Sequence, residues 1–595
     1  VLASLIDTIA KAYDAQRHRE LLAALWRQER WFDTPHQRRA AQIARDVLAG
    51  AGLADVAIVP YAADGRTRWQ DWTTHLAWDC SAAEVRIGEE VLADRASCPQ
   101  SAVYWSGPLK RTTAPAIDGD ALESVAPEDV RGRFVLTAKP PRDMKQRLLA
   151  AEPAAVISDY VGRTRGADEH TTKWCNAWAD GPGGWYFRAC DRVMPGFCLS
   201  PAAGRRLRER LAAEPGLRIT ASCDSRLYEG IGQCVTGVVP GRDAAREVWL
   251  FGHACEQGAH DNCSGVSIYV EAARLLAELI GAGVLGRPRC GIRVVTTEEC
   301  LGMLAFATEH PGLLGRAVAG TNVDAAGDAT EPDRPMGLHY GPLSMPNFGW
   351  AVAGELGRLL ADRSGGAYHV RCECEPPSSD DQIADPNCGD GGVPTLWLGT
   401  GGDATGYHSS ADTPAVCSDV TLRSNLLLVA AWAYVMADLD DRRVAALLPA
   451  ARRWIDQELL AGHEGDGLRL RRWAAGRMLR QPARWGVSPA ACETAAAEYC
   501  PPSAEPLDGL PTAGPRYARR TWGTCTLETL AADRTEGLSR WNRWQNAALF
   551  WTHGRRALAA VERLVSAEVG RAPEGGCARL FEACVEAGLA QKEDE

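Results

Sequence analysis

Five side chains able to bind a metal ion occur in order through the middle of the chain: His253, Asp261, Glu299, Asp324 and His408. Each falls where an apolar, strand-like run gives way to a loop. His253 closes Val248-Trp-Leu-Phe-Gly-His, and Asp261 lies in the Gly-containing loop that follows. Glu298-Glu299 close the run from Gly291, Asp324 closes the run from Ala317, and His408 sits beyond the run Val393–Leu398. Two histidines and three carboxylates form a hard-to-borderline ligand set suited to a pair of divalent ions, zinc first. Glu298, next to a proposed ligand, is a sixth side chain and a fourth carboxyl group, within reach of an activated water. The set therefore holds both parts of metal-assisted hydrolysis, an acidified water and a general base.

Side chains spread over some hundred and fifty positions meet only if the elements before them are neighbours. The apolar runs alternate with helical patterns such as Ser264–Leu279 and Thr421–Leu439. Strands alternating with helices at this spacing predict an α/β fold, a mostly parallel, doubly wound sheet with helices on both faces. In such sheets, sites gather just past the carboxyl ends of the strands. The chain divides into four expected parts. Residues 1–83 give helices and a first strand, and 84–217 a β-rich insert of short runs broken by Gly and Pro. Residues 218–440 give the catalytic core, and 441–595 a helical region rich in Arg and Trp.

At 595 residues the chain exceeds what one core can organise. A formal net charge of −11 argues against nucleic acid as the main partner, since phosphate backbones call for a basic surface. No stretch approaches about 18 uninterrupted apolar residues, so no membrane partner is expected. The 20 cysteines lack any CxxC…CxxC zinc pattern. They are read as reduced thiols of a cytoplasmic protein, or of a secreted one if a signal peptide has been removed. Homo-oligomerisation is left open.

His253 with Asp261-Asn-x-Ser-Gly, Thr297-Glu298-Glu299, Asn322-Val-Asp324 and Tyr407-His408-Ser-Ser-x-Asp412 resembles the co-catalytic di-zinc aminopeptidases. That group takes in aminopeptidase Y, bacterial secreted aminopeptidases and the glutamate carboxypeptidases. The resemblance implies a metal-dependent exopeptidase with two zinc ions, acting on a peptide or an aminoacyl conjugate. It makes Asp261 the bridge, with His253 and Asp324 completing one ion, and Glu299 and His408 the other. It makes Glu298 the general base and gives the Tyr407 hydroxyl to the oxyanion. Region 84–217 resembles a protease-associated domain, which shapes access in relatives without making bonds. One position departs: where the family has His-x-Asp, the Asp orienting the histidine, this chain has Cys255. A branch of aminopeptidase-like proteins shares that His-x-Cys, together with a stretch like Ser379-Asp380-Asp381-Gln382 and a winged-helix-like tail similar to Ala548–Leu589. Two alternatives follow from Cys255 and the added domains: a degenerate peptidase fold used for binding, and a single-zinc cyclase-like enzyme.

Overall fold

A computed structural model describes residues 2–120, 126–175, 178–180, 186–400 and 404–593. Eight strands make the large sheet: β1 (Ala54–Ala63), β2 (Gly230–Val239), β3 (Asp243–Ala254), β4 (Cys290–Glu298), β5 (Ala317–Val323), β6 (Met336–Tyr340), β7 (Val370–Cys374) and β8 (Thr395–Gly399). Their spatial order is β1-β2-β4-β3-β5-β8-β6-β7. The centre, β4-β3-β5-β8, is parallel. The joins β1–β2, β2–β4 and β8–β6 are antiparallel, so the sheet is more mixed than the alternation of runs implied.

Central strands are covered on both faces and read as unbroken apolar runs for that reason. Val248, Trp249, Leu250 and Phe251 of β3 are all fully buried. Helix Cys263–Gly281 packs between the sheet and helices Ala15–Glu29 and Asp419–Ala437. Its cap is Asn262, whose side chain accepts from the Gly265 N–H at 3.2 Å. Asp is also a residue type suited to a helix cap, a role compatible with metal bridging. With Asn262 filling it, the Asp261 carboxylate faces the loops beyond the sheet. Helix Asp419–Ala437 is long and apolar enough to cross a membrane, yet 89% of that window is buried against the core.

The insert holds a second sheet of seven strands, wider at both ends than the expected 84–217. Its longest strands, Ala77–Ile87 and Arg218–Tyr228, pair antiparallel along most of their length. They lead the chain out of β1 and back into β2. Beyond residue 440 come helices Asp441–Trp454, Gly465–Arg480, Arg543–Trp551, Leu558–Val569 and Gly576–Glu586. A short antiparallel ribbon there joins Arg516–Arg519 to Ala590–Glu593.

Candidate active site

Past the carboxyl ends of β3, β4 and β5 the polypeptide turns sharply, and those turns carry the cluster. Non-glycine residues with left-handed backbone stand at Cys255 (φ 69°), Cys300 (φ 56°), Ala325 (φ 48°) and His408 (φ 54°). Each is a ligand candidate or lies within two residues of one. Strain of this kind costs about 1–3 kcal/mol per residue and persists where surrounding structure over-determines it. Part of that determination is visible. Asp412, buried, accepts from the His260 N–H at 2.7 Å and the Asp261 N–H at 3.1 Å, fixing the loop that presents Asp261. Gly258 is required beside it, since a Cβ there would sit 2.0 Å from Asp412 Oδ2.

The structure brings all five expected ligands around one cavity of about 610 Å³. His253 Nε2 lies 3.7 Å from Asp261 Oδ1 and 3.7 Å from Asp324 Oδ1. The other oxygen of Asp261 lies 3.1 Å from His408 Nε2. The two oxygens of one carboxylate thus face two different histidines. Glu256, which the sequence reading passed over, joins them: its Oε2 is 3.7 Å from His253 Nε2 and 4.0 Å from His408 Nε2. Three overlapping groups result, each with donor atoms within 4.8 Å of one another. They are His253/Asp261/Asp324, Glu256/Asp261/His408 and His253/Glu256/Glu299. Glu256 stands three residues past His253 in the same loop, and that spacing was the signal available to find it.

Glu298 is not brought there. Successive residues at the end of a strand point to opposite faces, so Glu298 and Glu299 separate although adjacent. Glu299 lines the cavity. The Glu298 carboxylate turns away, accepting from the Tyr61 hydroxyl and lying 2.6 Å from His75 Nε2. The carboxylate expected to be the general base thus lies against Tyr61 and His75, and Glu299 faces the cavity in its place. Tyr407 lines the cavity with its ring stacked on His408, centroids 3.8 Å apart.

The expected absence of bonds from the insert is also corrected. The Trp174 N–H donates to the His408 carbonyl at 3.1 Å, and the Trp174 ring meets the His408 imidazole edge-on at 4.3 Å. Lys173 Nζ donates to the Tyr407 carbonyl at 2.8 Å, and the Tyr186 hydroxyl donates to the Glu299 carbonyl. The insert therefore clamps the loop that carries one ligand and touches the turn that carries another.

Cys255 leaves His253 without the family's neighbouring carboxylate, and Asp380 stands where that partner is needed. Its Oδ2 is 2.9 Å from His253 Nδ1, and its Oδ1 accepts from the Cys300 N–H at 2.8 Å. Asp380 is fully buried, in the short helix Asp380–Ala384 after β7. Such a bond fixes the tautomer so that Nε2 faces a bound ion.

Electrostatics show what the cluster lacks. Burial pushes the carboxyls of Glu256, Asp324 and Glu299 above their ordinary range, well above it for the first two. For Asp261 burial acts upward too, but the neighbouring imidazoles of His253 and His408 outweigh it and hold the group well below. Burial pulls His253 down, yet Asp324 and Asp380 raise it well above the usual value. His408 is lowered, mainly by burial. Three of the converging atoms, His253 Nε2, Glu256 Oε2 and Asp324 Oδ1, are buried without a hydrogen-bond partner. Buried polar atoms are rarely left so. Carboxylates and imidazole nitrogens aimed at a common point fit a divalent cation, which would satisfy all of them.

Residues 235–433 match the family model of peptidase family M28. No curated protein sequence is similar enough to match. A putative peptidase from Clostridium acetobutylicum has a similar structure, with 16% identity, 83% of this chain and 96% of that chain covered, and a TM-score of 0.50. A zinc aminopeptidase from Bacillus subtilis aligns at 16% identity over 71% of this chain and 95% of that one, TM-score 0.48. A peptidase M28 precursor from Shewanella amazonensis aligns at 16% identity over 73% and 98%, TM-score 0.48. At such identity the likeness is one of fold. The sequence match and the ligand cluster fall on the same segment, and the chain is a metallopeptidase whose catalytic core is similar to peptidase family M28.

Proposed function

We propose that this protein is a zinc-dependent aminopeptidase that removes residues from the N-terminus of short peptides or aminoacyl conjugates. The supporting observation is Asp261 presenting one oxygen to each of two histidines, the arrangement two ions sharing a carboxylate would need. His253, Asp261 and Asp324 would hold one ion, and Asp261, His408 and Glu256 the other. When bound, zinc supplies a Lewis acid for the scissile carbonyl and lowers the pKa of water. Glu256 then takes the ligand place expected for Glu299, and Glu299 takes the base place expected for Glu298. Burial raises the Glu299 carboxyl, which brings a carboxylate base closer to neutral operating pH. The Ser379 hydroxyl, 3.3 Å from Glu299 Oε1, orients it.

The cavity supports an exopeptidase. Its volume, about 610 Å³, falls within the range of small-ligand sites. Trp174, Tyr407, Trp397 and Tyr160 wall it with aromatic surface suited to an apolar side chain. Its acidic floor, Glu256, Glu299 and Asp324, attracts a free α-amine. Residues 84–217 act in this reading as a protease-associated-like domain, supported by the clamp on His408. The ribbon and three helices of the tail support a winged-helix-like unit there.

The experiment is Glu299→Gln with zinc content and hydrolysis of aminoacyl anilides measured together. Zinc content at the wild-type level with turnover down about 10²–10⁴-fold is expected. N-acetylated substrates should be refused by the wild-type enzyme. Turnover near wild type in the variant would remove Glu299 as base. Fewer than one zinc per wild-type chain would remove the two-ion reading.

A further inference from the structure

A second cavity, about 510 Å³, lies where loops of the core meet the C-terminal helices, and it shares no lining residue with the first. Four arginines line it, Arg477, Arg480, Arg484 and Arg556, together with His553, and among the described residues no aspartate or glutamate does. In a chain of net charge −11 this is a marked local reversal.

The guanidinium groups are held in place mostly by neutral partners. Arg484 donates to the carbonyls of Gly392 and Gly391 at 3.0 and 3.2 Å. Arg556 donates to the Trp551 carbonyl at 3.3 Å and to His553 Nε2 at 2.6 Å. Arg477 is exposed, its guanidinium 5.7 Å from the centroid of the Trp473 ring. Arg480 alone of the four is paired with a carboxylate, Glu493, at 2.9 and 2.7 Å. Glu505 acts on Arg556 and His553 from outside the lining.

Donors without acceptors are the second observation. A guanidinium only donates, so His553 Nε2 accepts from Arg556 and the ring hydrogen sits on Nδ1. That Nδ1 is buried and has no partner. Gln481 Oε1 accepts from the Phe348 N–H at 2.6 Å, while its Nε2, also buried, has no partner. The buried Ser344 hydroxyl is a third polar group of this wall without one. Unpartnered donors on the wall of one cavity with excess positive charge call for an oxyanion of several acceptor oxygens, and arginine forks match phosphate bidentately. Trp473 shows only an edge of its ring beside the charges, and Trp551 behind it is buried.

We propose that this cavity binds a phosphate-bearing small molecule, the phosphoryl group held by Arg477, Arg484 and Arg556. The group can come from free phosphate or from a nucleotide whose base lies along the exposed edge of Trp473, and the test separates these sources. Calorimetry on the zinc-loaded 595-residue chain at low ionic strength uses inorganic phosphate and ADP as probes. Saturable binding of at least one probe is expected. Arg477→Glu should weaken it by about tenfold or more with an unchanged thermal midpoint, while Arg477→Lys weakens it less. ADP binding about tenfold tighter than phosphate identifies a nucleotide site; equal affinities identify a phosphoryl site alone. No saturable binding at millimolar probe overturns the proposal. So does binding that Arg477→Glu leaves intact, which would place the anion on the zinc ions. Displacement of ADP by a glutamate-rich peptide of higher affinity overturns it as well.

Discussion

Replacing Asp380 by Asn tests whether the orienting carboxylate of His253 has moved along the chain. The substitution keeps shape but removes charge from a fully buried group whose two oxygens are both engaged, one by His253 Nδ1 and one by the Cys300 N–H. An Asn can serve one of those donors with its carbonyl and must turn an amide donor on the other. A hydrogen bond to a charged group contributes about 1.5–3 kcal/mol, which corresponds to about 10–150-fold in an equilibrium constant. Loss of a ligand's outer partner commonly weakens metal binding by about 10–100-fold. Zinc affinity, read by competition with a chromophoric chelator, should therefore fall by one to two orders of magnitude in D380N. Turnover measured at saturating zinc should recover in part. The companion variant is Cys255→Asp, which restores the family's residue. Cys255 lines a small cavity with Tyr61, His75 and Glu298, and Glu29 and Glu298 both raise its thiol, after burial itself. A carboxylate placed there meets the Glu298 carboxylate in a buried setting and should not rescue D380N. Wild-type zinc affinity in D380N, or rescue by the double variant D380N/C255D, would refute the reasoning.

Glu298→Gln should leave zinc content and turnover close to wild type while lowering stability by about 1–3 kcal/mol, since His75 and Tyr61 lose a charged acceptor; activity collapse with intact folding would restore it as the base. Trp174→Ala should cut turnover by up to about 100-fold through misplacement of His408, with Trp174→Phe retaining most of it. If both variants match wild type in aminoacyl hydrolysis, the clamp has no role. Burial raises the Glu29 carboxyl from 4.5 to about 8, so the native chain keeps a proton that the unfolded chain has released between those values. Chelator-treated protein should lose stability as pH rises from 6 to 8, by about 2–3 kcal/mol. Glu29→Gln should abolish that decline, and equal slopes for the two proteins in denaturant titrations would sink the assignment.

Much of the site was legible because strand ends in a parallel sheet share one edge, so order along the chain becomes proximity in space. His253, Asp261, Asp324 and His408 follow that rule, each carried by an element whose apolar run announces it. The departures came from local geometry that residue order does not encode. Glu298 and Glu299 look interchangeable as a pair, yet the pleat sends one to the cavity and the other to His75. Glu256 and Asp380 lie on turns with no periodic pattern, and Asp380 reaches His253 only because the chain after β7 folds back against β8, β3 and β5.

The insert was misjudged for a related reason. A β-rich segment shows where its own core lies but not which of its loops meets a distant one, and the pairing of Lys173 with Ser409 joins positions more than two hundred residues apart. That pairing changes what the insert does. It fixes a ligand-bearing loop whose backbone is already in a costly conformation at His408. A loop in that state keeps its shape only while its neighbours hold it, so the Lys173–Trp174 segment of the insert helps shape the candidate metal site.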